Sequence, residues 1–189
     1  DFLNSDPHII NLKGEERYAG IVKQTGRLDL PEFLTLLRKY FANLELLVNE
    51  NFDYNNISIT GEAVSYKTIK TDKILFAEGT YTSNNPYFSW LPFKGTKGDI
   101  LTIKSADLKV DKIRKKNIFI LPIGKDVYKV GATYDWEDKS WEPSEKGKAE
   151  ILEKFEKISD CTYEIIDHKA GIRPASHDRR PFIGEHPKH

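Results

Sequence analysis

The chain has little sulfur, because its 189 residues contain no methionine and a single cysteine, Cys161. One cysteine cannot close a disulfide within the chain, so the sequence favours a reducing compartment and a cytoplasmic protein. No apolar run reaches membrane-spanning length, and no signal-peptide pattern opens the sequence. Because the chain begins at Asp1 without a methionine, we expect it to be a fragment or a processed product of a longer protein.

Net charge is also missing, since 29 basic and 29 acidic side chains balance to a formal charge of zero. A domain that holds a nucleic-acid backbone needs a net basic face, so the sequence predicts no nucleic-acid partner. The densest basic cluster, at 112–116, is typical of the solvated tip of a hairpin. Hydrophobic residues make up 39% of the chain, which is enough apolar material for a folded core.

Several signature motifs are absent as well. The sequence holds no G-x-G-x-x-G or G-x-x-x-x-G-K-[ST] loop for phosphates, no metal motif of the H-E-x-x-H or paired-cysteine kind, and no G-x-S-x-G nucleophile elbow. The five histidines are scattered, mostly in polar segments, where solvated or hydrogen-bonded side chains are the usual outcome. The motifs therefore predict neither a metal site nor a catalytic residue.

The residues that are present predict an α+β fold with a mixed, largely antiparallel sheet and two main helices. The first helix follows Asp29, with Pro31 in its first turn, and the second runs from about Pro143 to Ile158. Both helices carry apolar residues at three-to-four spacing. The predicted strands are 72–77, 98–103, 117–122, 127–133 and 163–166, with a turn rich in glycine and aspartate between the third and the fourth.

The most distinctive segment is 170–184, which contains two glycines, two prolines and three arginines. This composition predicts a backbone that bends tightly and approaches another group closely. Arg173 stands between a small apolar step and a proline, a setting that favours a rigid guanidinium suited to bidentate capture of a carboxylate or a phosphate. The alternative is an arginine that only hydrogen-bonds nearby carbonyl groups in a turn.

The sequence in this segment resembles a known signature. Ala170-Gly171-Ile172-Arg173-Pro174, followed by Asp178-Arg179-Arg180-Pro181-Phe182-Ile183-Gly184, is similar to the late motif of the FAD-dependent D-amino acid oxidase superfamily, which includes glycine oxidase, sarcosine oxidase and related dehydrogenases. Further pieces resemble that family in the required order, at 28–31, 74–79, 91–92, 97–101, 119–122 and 130–133, and at Pro143. Together these pieces span nearly the whole chain.

The resemblance implies roles for individual residues. Arg173 would hold the substrate carboxylate over the flavin, with Phe119 at a second substrate-binding position. In amino-acid oxidising members that position is often a tyrosine, and phenylalanine cannot donate the hydrogen bond. Either Arg173 acts alone, another group such as Tyr128 or Tyr134 helps, or the substrate is not a simple amino acid. Hydride would pass from the carbon that bears the amine to the flavin, with no obligatory acid or base from the protein. The implied cofactor contacts are Glu78, Gly79, Gly171, Ile172 and Pro174.

The same resemblance divides the chain into a substrate-binding domain, residues 1–25 and 80–189, and a partial FAD-binding segment, residues 26–79. The family's opening glycine-rich fingerprint for the ADP half of FAD has no counterpart here, and neither has its closing flavin segment. We therefore expect FAD in the parent protein, weak or no FAD binding by this chain alone, and the missing flavin domain as its partner.

The implied reaction is oxidation of a C–N bond in an amino acid or a secondary amine. Three alternatives stay open: oxidation of a 2-hydroxy acid, oxidation of a modified-nucleoside amine, and a non-catalytic module that binds small carboxylates through Arg173.

Overall fold

The computed structural model describes residues 8–61, 63–176, 178 and 180–188, and the chain falls into two compact units, Asp1–Asn56 and Ile57–His189. In the described part of the chain every strand pairing is antiparallel, and two α-helices accompany the sheets. These features confirm the predicted α+β class. The predicted domain limits at residues 25 and 79 stay a prediction.

The first unit contains a β-hairpin that the sequence did not predict. Strands β1 (His8–Leu12) and β2 (Glu15–Ala19) pair in antiparallel fashion. Lys13 and Gly14 join them with positive φ angles of 54° and 76°, and a two-residue turn of this kind matches the twist of the two strands. The prediction missed the hairpin because its second strand begins with three charged residues and lacks a clear alternation of apolar and polar side chains.

Helix α1 (Leu30–Asn43) begins where the sequence predicts. The side chain of Asp29 accepts a hydrogen bond from the N–H of Glu32 at 3.3 Å, and Pro31 stands in the first turn. The helix is amphipathic, yet none of its residues is buried. Its exposed large apolar side chains are Leu30, Phe33, Leu34, Leu36, Tyr40 and Phe41.

The second unit opens with a small antiparallel sheet of three strands, β3 (Ile57–Thr60), β4 (Ala63–Tyr66) and β5 (Ile69–Thr71). The strand predicted at 72–77 is wrong, because this segment forms no ladder and Leu75 is 92% exposed. Phe76 instead stacks on Tyr87, with ring centroids 6.2 Å apart, and meets Phe88 edge-on at 5.8 Å. A short apolar run does not by itself distinguish an aromatic cluster from a strand.

The main sheet of the second unit consists of β6 (Phe93–Lys104), β7 (Arg114–Lys115), β8 (Phe119–Gly124), β9 (Val127–Gly131) and β10 (Glu164–Ser176). Their spatial order is β10-β6-β9-β8-β7. The predicted hairpin is confirmed as β8 and β9, which turn at Lys125 and Asp126 with positive φ angles of 53° and 57°. The basic cluster at 112–116 surrounds β7 and is largely exposed, as predicted.

Strand β10 is longer than the sequence predicts and contains the segment 170–176. The tight bend predicted for 170–184 is absent from 170–176, since β10 stays paired with β6 from Asp167 to Ser176. Pro174 is compatible with this pairing because β10 lies at the edge of the sheet. A bulge interrupts the register between Ile165 and Asp167, where β10 has one residue more than β6.

Helix α2 (Glu145–Glu156) covers one face of the main sheet. It begins close to the predicted start near Pro143, and Ser144 caps it by accepting a hydrogen bond from the N–H of Gly147 at 3.0 Å. Ile151 and Phe155 are 0% and 1% exposed, and burial of such a side chain stabilises a fold by about 1.5–3 kcal/mol. Cys161 packs against the same core. The other buried members are Leu101, Ile103, Leu108, Val110, Ile118, Ile120, Tyr128 and Val130.

The main sheet therefore has a covered face, beneath α2, and an open face. Along β6, Leu101 and Ile103 point to the covered face and are 0% and 1% exposed, whereas Ile100 and Thr102 point the other way and are half-buried. Paired residues of an antiparallel ladder share a face. The register accordingly places three rows of paired residues on the open face. The first row consists of Phe119, Gly131, Ile100 and Lys169. The second is the pair Gly98 and Gly171, and the third is the pair Thr96 and Arg173.

Membrane-spanning helices and metal-binding clusters are both absent from the described residues. Neither α1 nor α2 has the length and apolar character that a membrane crossing requires. Histidine, cysteine and carboxylate side chains nowhere gather in a group of three that could hold a metal ion within the described ranges.

Candidate functional site

Arg173 lies on the open face of β10, and its side chain crosses the neighbouring strand. Its Nη1 atom donates a hydrogen bond to the carbonyl oxygen of Thr133, just beyond the end of β9, at 3.3 Å. Because β6 lies between β10 and β9, the arginine must reach over the β6 backbone to make this contact. Among the described residues, Arg173 forms no ion pair with a carboxylate.

Gly98 of β6 makes this path possible. A Cβ atom added to Gly98 would lie 2.6 Å from the Cζ atom of Arg173 and closer still to both terminal nitrogens. Carbon atoms in folded proteins do not approach so closely, so a side chain at position 98 would displace the guanidinium. Tyr134 flanks the same group, with its ring centroid 4.5 Å from Cζ in a cation–π contact. Bare backbone, a carbonyl and an aromatic ring therefore surround the guanidinium.

Thr133 also belongs to a buried polar network centred on Asp99. The Thr133 hydroxyl accepts a hydrogen bond from the N–H of Asp99 at 2.8 Å and lies 3.3 Å from its carboxylate. That carboxylate accepts a hydrogen bond from the N–H of Ser144 at 2.9 Å and lies 2.9 Å from Nε2 of His168. Asp99 is 1% exposed, and its charge lies at the N-terminal end of α2, where negative charge is favourable. The network ties the carbonyl that holds Arg173 to the helix on the covered face.

A buried ion pair fixes the segment that follows β9. Lys97 is 1% exposed, and its Nζ atom donates hydrogen bonds to Asp138 at 2.5 Å and to Ser140 at 2.9 Å. The bond from Lys97 is the main reason that the pKa of Asp138 lies well below its usual range. A buried ammonium group needs such partners, so this pair holds the segment against β6.

Asp135 organises the same segment from within. Its carboxylate accepts hydrogen bonds from the N–H groups of Asp138 and Glu137 at 3.0 and 2.9 Å, and from Lys146 of α2 at 3.1 Å. These bonds lower the pKa of Asp135 to about 2. The segment that bears Tyr134 is therefore fixed to β6 on one side and to α2 on the other.

Two concave pockets adjoin Arg173, one on each side. The larger has a volume of about 360 Å³ and is lined by Thr96, Tyr134, Trp136, Ser176 and Arg180 together with Arg173. The other has a volume of about 310 Å³ and is lined by Gly98, Ile100, Trp141, Lys169 and Gly171 together with Arg173. Volumes of this size suit small-molecule ligands.

Phe119 shares the open face with Arg173. Its ladder partner Gly131 pairs in turn with Ile100 of β6. Phe119 thus lies two strands, or roughly 10 Å, beyond the backbone that Arg173 crosses. Its role as a substrate contact stays a prediction.

Of the two tyrosines considered as alternative donors, Tyr134 lies at the site. Tyr128 is 5% exposed within the core, and its hydroxyl donates a hydrogen bond to the carbonyl of Leu108. Tyr134 is 64% exposed, and its ring lies against the Arg173 guanidinium.

Glu78 and Gly79, two of the predicted cofactor contacts, lie at a 3₁₀ turn that reaches β10. The carboxylate of Glu78 accepts a hydrogen bond at 2.8 Å from Asn85, which is fully buried, so this bond holds the turn in place. Gly79 has a φ of 59°, in the left-handed region that favours glycine. A Cβ atom added there would lie 4.0 Å from Cγ of Pro174. The fold thus brings the turn next to a third predicted contact.

Gly171 provides a test of whether the site fits the flavin that the resemblance implies. A Cβ atom added to Gly171 would meet no described atom within 4 Å, so the strand presents bare backbone on its open face. A planar ring can approach such a surface closely. By the alternation along β10 the side chain of Ile172 points to the covered face, which leaves its backbone for such a contact.

The phosphate end of FAD finds no corresponding feature in this chain. The natural site for a pyrophosphate is a glycine loop at the N-terminus of a helix, and the sequence contains no such motif. The residues present therefore fit the ring end of FAD and not its ADP half.

Sequence reasoning missed several residues around Arg173, namely Thr96, Gly98, Thr133 and Trp136. Gly98 and Thr133 stand inside motif pieces that were recognised, but the pieces gave no role for either residue. Gly98 is the first residue of the predicted strand 98–103, and only in the longer strand β6 (Phe93–Lys104) is it an interior glycine, which indicates close approach of another group.

Comparison with known proteins gives a consistent result. Residues 6–189 match the family DAO, described as FAD dependent oxidoreductase. The tRNA 5-methylaminomethyl-2-thiouridine biosynthesis bifunctional protein MnmC of Campylobacter concisus is 26% identical over 148 residues, covering 76% of this chain and 24% of that protein. Glycine oxidase of Pseudomonas aeruginosa is 26% identical over 159 residues, covering 78% of this chain and 43% of that protein.

A solved structure, that of glycine oxidase from Geobacillus kaustophilus, matches with a TM-score of 0.75 at 18% identity, covering 94% of this chain and 50% of the other. At that identity the likeness shows a shared fold. The chain spans about a quarter to under a half of the length of the curated relatives described above. The family match covers almost the whole chain and confirms the predicted family. The chain belongs to the DAO family of FAD-dependent oxidoreductases.

Proposed function

We propose that this chain is the substrate-binding part of a flavoenzyme that oxidises a C–N bond of an amino acid or a secondary amine, and that Arg173 binds the substrate carboxylate. One observation carries the proposal: the guanidinium lies on the open face without a carboxylate partner among the described residues. A partly enclosed cation is stabilised by an anion, and a guanidinium suits a carboxylate through two parallel hydrogen bonds. The similarity to a protein named glycine oxidase supports an amino acid as substrate.

FAD is the cofactor of this family, and it would supply the hydride acceptor when bound. The residues of this chain would then contribute alignment. Arg173 would fix the carboxylate, and the packing of Tyr134 on the guanidinium would limit its rotation. Fixed geometry of this kind accelerates a reaction because the entropy of orientation is lost on binding rather than in the transition state.

The ring end of the cofactor would lie against the glycine-lined part of β10. Gly171 leaves its backbone uncovered there, and Pro174 lies beside the turn that bears Glu78 and Gly79. These residues, with the backbone of Ile172, are the proposed flavin contacts. We also propose the division into a substrate-binding domain, 1–25 and 80–189, and a flavin-side segment, 26–79.

The 189-residue chain alone would bind FAD weakly, because it has no glycine loop for the pyrophosphate. Quenching of flavin fluorescence measures this affinity. FAD is titrated with this chain and, for comparison, with the longest polypeptide that the gene encodes. Micromolar or tighter binding by the short chain would contradict it.

The decisive experiment on the substrate replaces Arg173 in the flavin-loaded, longest polypeptide. Loss of a charged bidentate contact costs about 1.5–3 kcal/mol, so we expect Arg173→Ala to raise the KM for glycine or sarcosine by about 10- to 100-fold. Arg173→Lys would recover part of the loss. Arg114→Ala, in β7 and away from the pockets beside Arg173, is the charge-matched control. An unchanged KM in Arg173→Ala would contradict the proposal.

A second candidate substrate is an amine carried by a modified nucleoside. The larger pocket places Trp136 and Tyr134 beside Arg173, so an aromatic base could pack there while an anionic group meets the arginine. The similarity to the tRNA 5-methylaminomethyl-2-thiouridine biosynthesis protein is in keeping with this alternative. Anaerobic bleaching of the flavin by glycine, by sarcosine, by a 2-hydroxy acid and by an aminomethylated uridine would separate the candidates. A well-folded longest polypeptide without flavin would favour the carboxylate-binding module instead.

A further inference from the structure

We infer that Gly98 is a positioning residue for Arg173: the missing side chain on β6 keeps the guanidinium extended across the strand, where it meets Thr133 and Tyr134. The inference deepens the proposed function and rests on it, since Arg173 matters to the substrate only if it binds the carboxylate. It concerns a residue that itself has no group to offer a ligand.

The arginine side chain is long and flexible. An arginine on an edge strand has many rotamers, and ordering it costs about 2 kcal/mol. In this chain a single extended arrangement satisfies the hydrogen bond to Thr133 at 3.3 Å and the contact with the Tyr134 ring at 4.5 Å. Both contacts lie on the far side of β6 from Arg173. The guanidinium can reach them only across the backbone at position 98.

The groups that the guanidinium meets beyond β6 are themselves held rigidly. The Thr133 hydroxyl is hydrogen-bonded to the buried Asp99, which binds the first turn of α2 through Ser144. A guanidinium that reaches Thr133 is thus held at a defined place relative to the core. One that stops short of β6 would keep its charge and lose its orientation.

Gly98 differs from Gly131 of β9 and from Gly147 of α2 in the atoms that an added Cβ would meet. A Cβ atom at Gly131 would meet the backbone oxygen of Asp99 at 3.1 Å, and one at Gly147 would lie 2.5 Å from the Asp99 carboxyl carbon. At Gly98 the three nearest atoms all belong to the mobile end of the Arg173 side chain, and its φ is outside the left-handed region. Alanine at position 98 therefore suits the backbone conformation, and its nearest conflicts are with the flexible guanidinium.

The consequence is a substitution that should change the site while leaving the fold intact. In Gly98→Ala the guanidinium would leave the position over β6, lose the Thr133 bond and the Tyr134 ring, and offer its hydrogen bonds in no fixed direction. We expect the affinity for a small carboxylate to fall about tenfold, the size of one lost charged hydrogen bond.

The test uses the flavin-loaded, longest polypeptide with acetate as the probe, titrated by calorimetry and by the shift of the flavin absorption. The variants are Gly98→Ala, Arg173→Ala and the double variant, with Gly26→Ala as the matched control, since a Cβ atom at Gly26 meets nothing within 4 Å. If Gly98 acts through Arg173, the double variant binds acetate no more weakly than Arg173→Ala alone, because the two changes remove the same interaction. Thermal unfolding of Gly98→Ala should match that of the control.

The same substitution in an Arg173→Lys protein is a control for a general loss of structure. Lysine at position 173 has a smaller head group, so Gly98→Ala should have little further effect in an Arg173→Lys protein. Wild-type acetate affinity in Gly98→Ala would overturn the inference, and so would additive losses or a shared loss of thermal stability. Wild-type affinity in Arg173→Ala would instead overturn the proposed function, so the two failures are distinguishable.

Discussion

The two main helices, α1 and α2, share a side-chain cap and an apolar stripe but have very different surroundings. Both begin after a side-chain cap, Asp29 in one and Ser144 in the other, and both carry an apolar stripe. Helix α2 buries Ile151 and Phe155 against the main sheet, whereas α1 has no buried residue at all. The periodicity of a helix therefore predicts the helix and the direction of its apolar face, but not whether this chain supplies the partner for that face.

The largest effect is expected in α2. Phe155→Ala removes a 1% exposed ring that meets Tyr163 edge-on at 5.4 Å, so the free energy of unfolding of the second unit should fall by about 3–5 kcal/mol. All three tryptophans (Trp90, Trp136 and Trp141) lie in the second unit, so urea unfolding followed by their fluorescence reports it directly. A loss below about 1 kcal/mol would mean that α2 is not the cover of this sheet.

A smaller effect is expected from acid, which weakens the link between α2 and the segment after β9. The hydrogen bonds that Asp135 accepts hold its pKa at about 2, below the usual 3.8. A depressed pKa means that the charged form stabilises the fold, so this contribution is complete above pH about 4 and is lost as the pH falls towards 2.

Asp135→Asn is the matched variant for the acid experiment, because an amide oxygen can still accept hydrogen bonds from the backbone without titrating. Its stability should vary less than that of the wild type between pH 4 and 2. The measurement is the unfolding free energy of the two proteins as a function of pH. If both lose the same stability between pH 4 and 2, Asp135 does not contribute.

The smallest effect is expected in α1. Leu34 is 53% exposed, so Leu34→Ala should change the unfolding free energy of this chain by less than about 0.5 kcal/mol. The same substitution in the longest polypeptide sharpens the comparison, since a partner for α1 outside these residues would raise the cost to about 2–5 kcal/mol. An effect of that size in the short chain would show that α1 already packs against it.

The sequence predicted the parts of the fold that local signals determine. Three-to-four spacing located both helices, Asp29 marked the start of α1, and a glycine- and aspartate-rich turn located the β8–β9 hairpin. The strand at 72–77 failed because an apolar run does not show whether its neighbours are strands or aromatic rings. The bend expected for 170–184 is not found in 170–176, because Gly171 and Pro174 are also compatible with an edge strand.

The candidate site was predictable to the same degree. The motif around Arg173 led to the residue most central to the proposal, and the choice between Tyr128 and Tyr134 could not be made from sequence. That choice depends on which face of the sheet each side chain meets, and the hydroxyl of Tyr128 is committed to a core carbonyl. The role of Gly98 depends on a side chain that arrives from 75 positions later in the chain, which no local pattern records.

Because of the bulge in β10, the residues after it do not follow the inward and outward alternation of the residues before it. Before it, Ile165 is paired with the buried Ile103; after it, Asp167 is paired with Thr102 on the opposite face. Counted by simple alternation from Ile165, Arg173 would point into the core; the one extra residue turns it outwards. Loss or gain of a single residue near Ile166 can therefore be absorbed at that point, so relatives of different length can keep the arginine in place. Gaps in alignments of this strand should collect there rather than beside the motif.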